Sequence, residues 1–579
     1  MKKVLIAIIL IALVIGGYFY FKKQPNLESK NIAAAGEKIP VIIVPHFNTF
    51  ADKRAELLKN LESKYQSKTT VVVSVNHFNS GSSSIITAEK EWKFEGGNVK
   101  SDANLTAKLA SSSIATSDES AFANEHGIAN IVPDIITSKA GILPIIIKDT
   151  TPRSEIDKLA DWLNSNCQDC LMIASVDFSH YCPRALAKVH DSYSIQALAN
   201  LDKDKTWIAE TDSPQVLYLA ESIAEKNQAK NFHLFYNANS GDASGNDDAE
   251  VTSVVLGYYS NTPLSDSEKI EPPKGAPSGP SSSFVIAGDA MFDRNVWHNY
   301  KDIGLKKIFD NFGTRVFRGS DLALLNLEGP ISATPIDDDW KSGSMVFNFP
   351  LETPLILKYL NVGAVSLANN HTANAGATGL ANTRKVLGDA GIKSFGQPEG
   401  FSDVSVLQID GEIPVTIIGI MALSDFDHNT MNSKIKEEKS AGRTVIIFPH
   451  WGEEYKASHV ASQKSLAKEW VAAGADAIIG SHPHVTEDFE IIDGKPVVYS
   501  LGNFVFDQFF SQETQEGLIV AGIITKDKIT LSFLPTREKV VKPEFMTGSE
   551  KTAKIKQIID IDSQTGFKKI SSDTIETAR

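Results

Sequence analysis

Five short apolar runs in the second half of the chain each stop on a side chain of ligand type. Phe284-Val285-Ile286-Ala287 runs into Gly288-Asp289, and Leu322-Ala323-Leu324-Leu325 runs into Asn326-Leu327-Glu328-Gly329. Val365-Ser366-Leu367-Ala368 runs into Asn369-Asn370-His371, and Val445-Ile446-Ile447-Phe448-Pro449 into His450. Asp476-Ala477-Ile478-Ile479 ends at Gly480-Ser481-His482-Pro483-His484. Apolar runs of this length read as buried strands. In α/β sheets the ligand-binding groups gather at the carboxyl ends of the strands. The pattern therefore predicts an α/β domain with a single polar cup. Pro483 biases His482 towards extended backbone, where residues i and i+2 project to one side, so His482 and His484 are expected to aim at one point. A pair of imidazoles held this way predicts a metal site.

At 579 residues the chain exceeds one ordinary core and predicts two domains with extras. Its 42% apolar and 22% charged residues describe a globular protein. The net charge of -14 and the lack of a basic stripe exclude a nucleic-acid phosphate binder. Met1-Lys2-Lys3 precedes an uncharged run from Val4 to Phe21, closed by Lys22-Lys23. That run is long enough to cross a bilayer, with Tyr18-Phe19-Tyr20-Phe21 suited to the interface. A cleaved signal peptide is the rival reading, but Ala33-Ala34-Ala35 stands well beyond the run. A single-pass transmembrane anchor is expected over 1–23 and a spacer over 24–39, with the bulk of the chain outside the cytoplasm.

From 40 to 260, apolar runs at Val41–Val44, Val71–Val73, Leu143–Ile147, Met172–Ala174 and Val251–Tyr259 alternate with helical patterns. The helices are expected at Asp52–Tyr65, Arg153–Asn164 and Arg184–Leu201, which makes this a first α/β domain. Residues 261–283 are a linker rich in Pro, Gly and Ser. The second α/β domain spans 284–545, and 546–579 reads as a polar tail. Cys167 and Cys170 form a lone C-x-x-C, which reads as two thiols or one local disulfide rather than half of a structural zinc site.

The second-domain motifs, with His450-Trp451-Gly452-Glu453-Glu454 and Tyr499-Ser500-Leu501-Gly502-Asn503-Phe504 added, resemble the CapA family of poly-γ-glutamate capsule-synthesis proteins. The resemblance implies a calcineurin-like metallophosphoesterase fold, an α/β sandwich, holding two divalent metals. It implies Asp289, Glu328, Asn370, His450, His482 and His484 as ligands, with Glu328 bridging and His371 as proton donor. Mixed nitrogen and oxygen donors suit Mn, Fe or Zn rather than Ca. The Asp-x-His of the parent fold is here Asp289-Ala290-Met291, so either Asp293 is the replacement ligand or one metal is weakly held. Trp451, Glu453 and Glu454 are candidates to line a substrate cleft, with plain solvation as the alternative for the two acids. Asn503 reads as a hydrogen bonder behind the ligands or a turn residue, rather than a ligand.

In the first domain, Val44-Pro45-His46, Val75-Asn76-His77, Glu125-His126-Gly127, Asp177-Phe178-Ser179-His180-Tyr181 and Asn239-Ser240-Gly241-Asp242 resemble the Memo family. That family is similar to class III extradiol dioxygenases, and the resemblance implies a site for Fe or another single metal. His46 and His77 would be ligands, Asp177 and His180 supporting or acid/base groups, and Asp242 the third ligand. A degenerate or purely structural first domain is the alternative. His190 and His233 read as packing or surface residues.

The expected function is a membrane-anchored protein of capsule or envelope polymer synthesis or export, acting on an acidic surface polymer or a phosphoester by metal-assisted hydrolysis or transfer. Other capsule-synthesis membrane proteins are its expected partners. The alternatives are a non-catalytic polymer-binding scaffold and an Fe-dependent oxidative enzyme centred on His46 and His77.

Overall fold

The computed structural model describes residues 40–62, 69–135, 141–167, 170–246, 250–263, 279–333, 345–561 and 564–579. The expected anchor over 1–23, the spacer over 24–39 and most of the expected linker lie outside the described residues. Among the described residues no helix is long and apolar enough to cross a membrane.

The first domain is built on a nine-stranded sheet. Its centre is parallel: Val41–Val44, Leu171–Ser175, Thr70–Val75 and Ile142–Ile147 lie side by side. These strands are buried on both faces, which is why they read as unbroken apolar runs rather than alternating ones. Val251–Ser260 joins antiparallel to Val41–Val44 and closes that side of the parallel block. The Arg153–Asn166 helix buries Ile156, Leu159, Ala160 and Leu163, the spacing of one helical face. The Ala51–Glu62 helix begins one residue before the expected Asp52; the remaining expected residues, 63–65, lie outside the described ones.

The second domain stacks a ten-stranded sheet on a six-stranded one. Ser281–Ala290, Leu322–Leu327, Ala364–Ser366 and Lys393–Phe395 are parallel in the first. Val415–Met421, Thr444–His450, Ala477–Ile479 and Lys495–Val498 are parallel in the second. Phe284, Ile286 and Leu324 of one sheet share an apolar layer with Ile417, Ile446, Phe448 and Val498 of the other. The segment after 545, expected as a tail, instead continues the fold. Its Thr574–Ala578 strand pairs antiparallel with Lys528–Lys539, burying Thr574, Ile575 and Thr577 and leaving Glu576 partly open. Five residues with Ile575 as the one large apolar side chain are too short a run, among lysines and serines, to read as a strand.

The domains meet through an apolar contact. Ala185, Leu186 and Val189 of the Arg184–Asn200 helix lie in one cluster with Val285, Ala287 and Ile519 of the ten-stranded sheet. Lys205 Nζ also pairs with Asp321 Oδ1 at 2.6 Å.

Two imidazole and carboxylate clusters

All five strand ends of the second domain converge. Ser281–Ala290 delivers Asp289, where its register with Leu322–Leu327 shifts between Ile286 and Asp289. Gly288 precedes it because a Cβ there would stand 1.9 Å from Gly502 O. Asn326 lies in the neighbouring Leu322–Leu327 strand and Glu328 just past its end, and Asn326 Nδ2 donates to Asp289 Oδ1 at 2.8 Å. Asn369, on the next loop, donates to Asn326 Oδ1 at 3.0 Å and to Leu327 O at 2.9 Å. That lock turns Asn370 Oδ1 to within 2.9 Å of His450 Nε2.

His482 Nδ1 lies 3.1 Å from the same His450 nitrogen, and His482 N–H donates to Asp289 Oδ2 at 3.2 Å. His484 reaches Asp289 Oδ2 and Glu328 Oε1, each at 3.4 Å. Single donor atoms of Asp289, Glu328 and His450 lie within 4.8 Å of one another, and all three residues are buried. The six expected ligands are thus brought to one place.

The route by which two of them arrive corrects the sequence reading. His482 and His484 are not on extended backbone: their φ angles are +102° and +59°. Left-handed backbone at non-glycine residues costs about 1–3 kcal/mol each and persists where surrounding contacts enforce it. Here Trp451 N–H donates to Ser481 O, and Tyr455 N–H donates to Pro483 O. The bias from Pro483 was overridden by these tertiary bonds.

Burial decides the charge states. It pushes the Glu328 carboxyl well above its ordinary range and the His450 imidazole well below. Burial also takes His482 down to about 4. His484 is desolvated too, but Glu328 and Asp289 overrule that and raise it to about 9. Glu328 Oε1 is buried and accepts no hydrogen bond. A buried carboxylate oxygen without a hydrogen bond, close to His484 and grouped with His450 and His482, which burial keeps neutral, fits a divalent cation. The expected metal group therefore fits the residues present.

His371 lies beside the cluster, stacked on Phe347 at 4.2 Å between ring centroids, and burial lowers its pKa. Asn374 Oδ1 accepts from Phe347 N–H, so His371 Nδ1 donates to that oxygen at 3.1 Å. Asn374 thus engages Nδ1 and not Nε2. Asp293 is not a replacement ligand: it caps the Arg294–Tyr300 helix, accepting from Arg294 N–H and Asn348 N–H.

Trp451 is core rather than cleft lining, stacked between Trp470 and Tyr499 with Nε1 donating to Tyr499 O. Glu453 is exposed, whereas Glu454 is half-buried and its charge is felt at Glu328, His371 and His482. Asn503 accepts from His484 Nδ1 at 3.0 Å, the supporting role its sequence position suggested.

The first domain gathers a second cluster at its own strand ends. His46 Nε2 lies 3.1 Å from Asp177 Oδ2, 3.1 Å from Asp212 Oδ2 and 3.2 Å from His77 Nε2. Ser175 Oγ donates to Gly127 O, so His46 Nδ1 donates to Ser175 Oγ at 3.2 Å. Glu125 holds His77 at Nδ1, 2.6 Å away, and His126 lies over His77 at 3.9 Å between centroids. His46, His77 and His126, and likewise His46, Asp177 and Asp212, offer donor atoms within 4.8 Å of one another.

Burial opposes charge on His77, but Asp212 and Glu125 raise it to about 9. Burial likewise raises Asp177 to about 6, whereas Asp212 is held below the usual carboxylate range against burial by His46 and His77. His180 lines the same cavity.

Asp242 does not join this cluster. It completes a capping box with Asn239 and pairs with Arg184 and Lys188. Asp212 takes the acidic position instead. It sits on a loop before the Pro214–Lys226 helix, with no apolar run ahead of it to signal a strand end. Asn326 was also passed over, although two-residue alternation places it on the face of Glu328. His190 and His233 are buried packing residues: His190 donates or accepts at Ser179 Oγ, and His233 stacks on Tyr258. Cys167 and Cys170 form the local disulfide, and Cys182 is a buried free thiol.

Residues 283–508 match the family model for bacterial capsule synthesis protein PGA_cap, and residues 15–256 match the model for Memo-like protein. The capsule biosynthesis protein CapA of Bacillus anthracis is 28% identical over 325 residues, covering 51% of this chain and 74% of that protein. The PGA biosynthesis protein CapA of Bacillus subtilis is 29% identical over 259 residues, 41% of this chain and 66% of its own length. A MEMO1 family protein of Sulfolobus acidocaldarius is 28% identical over 209 residues, 33% of this chain and 70% of that protein.

Proposed function

From a chain that joins a Memo-like domain to a PGA_cap capsule-synthesis domain, we propose a cell-envelope protein whose second domain holds two divalent metals and acts on an acidic surface polymer or a phosphoester. The observation that carries this reading is the buried, donor-less Glu328 Oε1 among Asp289, His450, His482 and His484. Mn, Fe or Zn suits the donor set. Such ions polarise a phosphoryl or acyl oxygen and lower the pKa of coordinated water.

The chain's own residues do the rest. Asn369 fixes Asn326 and Leu327 and so the loop that presents Asn370. Asn503 holds His484 Nδ1, leaving Nε2 towards Glu328. His371 exchanges a proton at Nε2 with the reacting group, its ring orientation fixed by Asn374 and Phe347.

The names of the relatives, a PGA biosynthesis protein and a capsule biosynthesis protein, support a capsule polymer of polyglutamate type as substrate, and the same reading takes other capsule-synthesis membrane proteins as partners. The apolar run from Val4 to Phe21 supports a single-pass anchor, with the rest of the chain outside the cytoplasm. The Cys167–Cys170 disulfide suits that oxidising side.

Metal analysis of the purified chain, paired with hydrolysis of a generic phosphodiester, tests the reading. Bound metal and turnover, both lost in His482→Ala at unchanged Tm, support it. A parent chain that takes up no metal refutes it. Metal without turnover, together with polyglutamate binding that survives His371→Ala, leaves the scaffold alternative standing.

A further inference from the structure

The cavity over the first domain's cluster, about 490 Å³, is not made by the first domain alone. His46, His77, His180 and Asp212 line it together with Arg315 and Arg318 of the second domain. The segment carrying those arginines is pinned to the first domain. Gly319 N–H donates to Ile208 O at 2.9 Å, and Arg318 Nη2 donates to Trp207 O at 2.9 Å. Val316 O lies 3.4 Å from His190 Nε2, and the apolar contact between the domains adjoins this seam.

Arg318 is thus partly used as a strut. Arg315 is not. Its guanidinium lies 5.0 Å from the centroid of the Tyr181 ring, and among the described residues no carboxylate forms an ion pair with it. A guanidinium over an aromatic ring and in no direct ion pair, with the Glu210 carboxyl feeling its charge, offers its fork to an incoming planar anion.

We propose that this cavity binds an organic carboxylate, held by Arg315 of the second domain above the first domain's His46, His77 and Asp212. The charge of the lining chooses the ligand. Asp177 and Asp212 already stand on His46, and Arg318 is tied to Trp207 O, which leaves the single fork of Arg315 for a ligand and matches it to one carboxylate. Phe47 and Tyr181 supply apolar surface for the body of an organic acid. The second domain then completes the first domain's site. None of the residues invoked belongs to the cluster around Glu328, so the two readings fail independently.

Benzoate, which offers one carboxylate, and inorganic phosphate are titrated separately into the full-length chain by calorimetry. The expected result is saturable benzoate binding, weakened about tenfold or more in Arg315→Gln and less in Arg315→Lys, which keeps the charge but loses the fork. Phosphate is expected to show no Arg315-dependent binding. The proposal is overturned if benzoate fails to saturate the parent, if Arg315→Gln binds it equally well, or if phosphate rather than benzoate depends on Arg315. Should Arg315→Gln melt early, Tyr181→Leu removes the ring beneath the guanidinium instead. Weakened benzoate binding there supports the site, and unchanged binding overturns it.

Discussion

The two clusters share residue types and a close imidazole pair, 3.2 Å apart in the first domain and 3.1 Å in the second, yet they differ in how their acids are neutralised. In the first domain the acids and imidazoles pair with one another. Asp177 and Asp212 sit on His46, and Glu125 sits on His77. In the second domain His484 faces both acids, 3.4 Å from Asp289 Oδ2 and from Glu328 Oε1, while His450 meets an imidazole and an amide and Glu328 Oε1 accepts no hydrogen bond. An uncompensated buried acid is costly enough that something has to supply positive charge. Asp212 in the first domain is left in the same condition, both oxygens buried without a hydrogen bond, so each cluster holds a carboxylate that a cation would satisfy, and the clusters differ in how closely an imidazole approaches it: 3.1 Å at Asp212 and 3.4 Å at Glu328. Backbone strain follows the same division: His482 and His484 are left-handed, whereas His46 and His77 have no positive φ.

Glu328→Gln gives the sharpest break of that comparison. Bound metal in the second domain is expected to fall to background by elemental analysis. In metal-stripped protein, the variant's Tm is expected to be no lower than the parent's, because an amide is neutral where burial disfavours a carboxylate. A glutamate retained only for structure would give the reverse, a lower Tm with no change in metal. For a domain of this size, about 1 kcal/mol moves Tm by roughly 2–4 °C, which calorimetry resolves.

A second pair of substitutions divides the first domain's acids. In metal-free protein, Asp212→Asn is expected to lower the pKa values of His46 and His77 on imidazole NMR titration, because Asp212 raises both. Asp242→Asn is expected to leave both titrations in place and to cost about 1 kcal/mol through its cap. If Asp242→Asn moved His46 instead, the assignment of the acidic position would fall.

Most of the second site was legible because each ligand ends an apolar run, and burial on both faces of the sheet forces that run to be unbroken. Asp289, Glu328, His450 and the His482-Pro483-His484 stretch all carry that signature. The left-handed turns at His482 and His484 were not legible, since the bonds that impose them come from Trp451 and Tyr455, distant in sequence. Asp212 was hidden for a related reason. Its loop reaches His46 through the packing of the Pro214–Lys226 helix, and Thr211-Asp212-Ser213 reads locally as a helix start. Asp242 had the opposite fate, a polar motif whose local chemistry is all there is. The strand at Thr574–Ala578 needed its partner at Lys528–Lys539 to become one.

The smallest expected effect concerns a buried acid in the first domain that resembles Glu328 and serves no site. Glu221 accepts from Thr206 Oγ1 at 3.0 Å on one oxygen, and its Oε2 is buried without a partner. Burial pushes its carboxyl from 4.5 up to about 8. The folded chain therefore holds the proton more tightly than the unfolded chain. The stability linked to that proton is fully present below pH 4.5 and is lost as the pH rises through about 8. Glu221→Gln carries no such proton, so its Tm advantage over the parent should grow across that window and level off above it. Metal content should not change, because among the described residues Glu221 joins no group of metal-ligating side chains. A loss of metal in Glu221→Gln would mean that burial without a donor is too weak a criterion, and the contrast drawn from Glu328 would go with it.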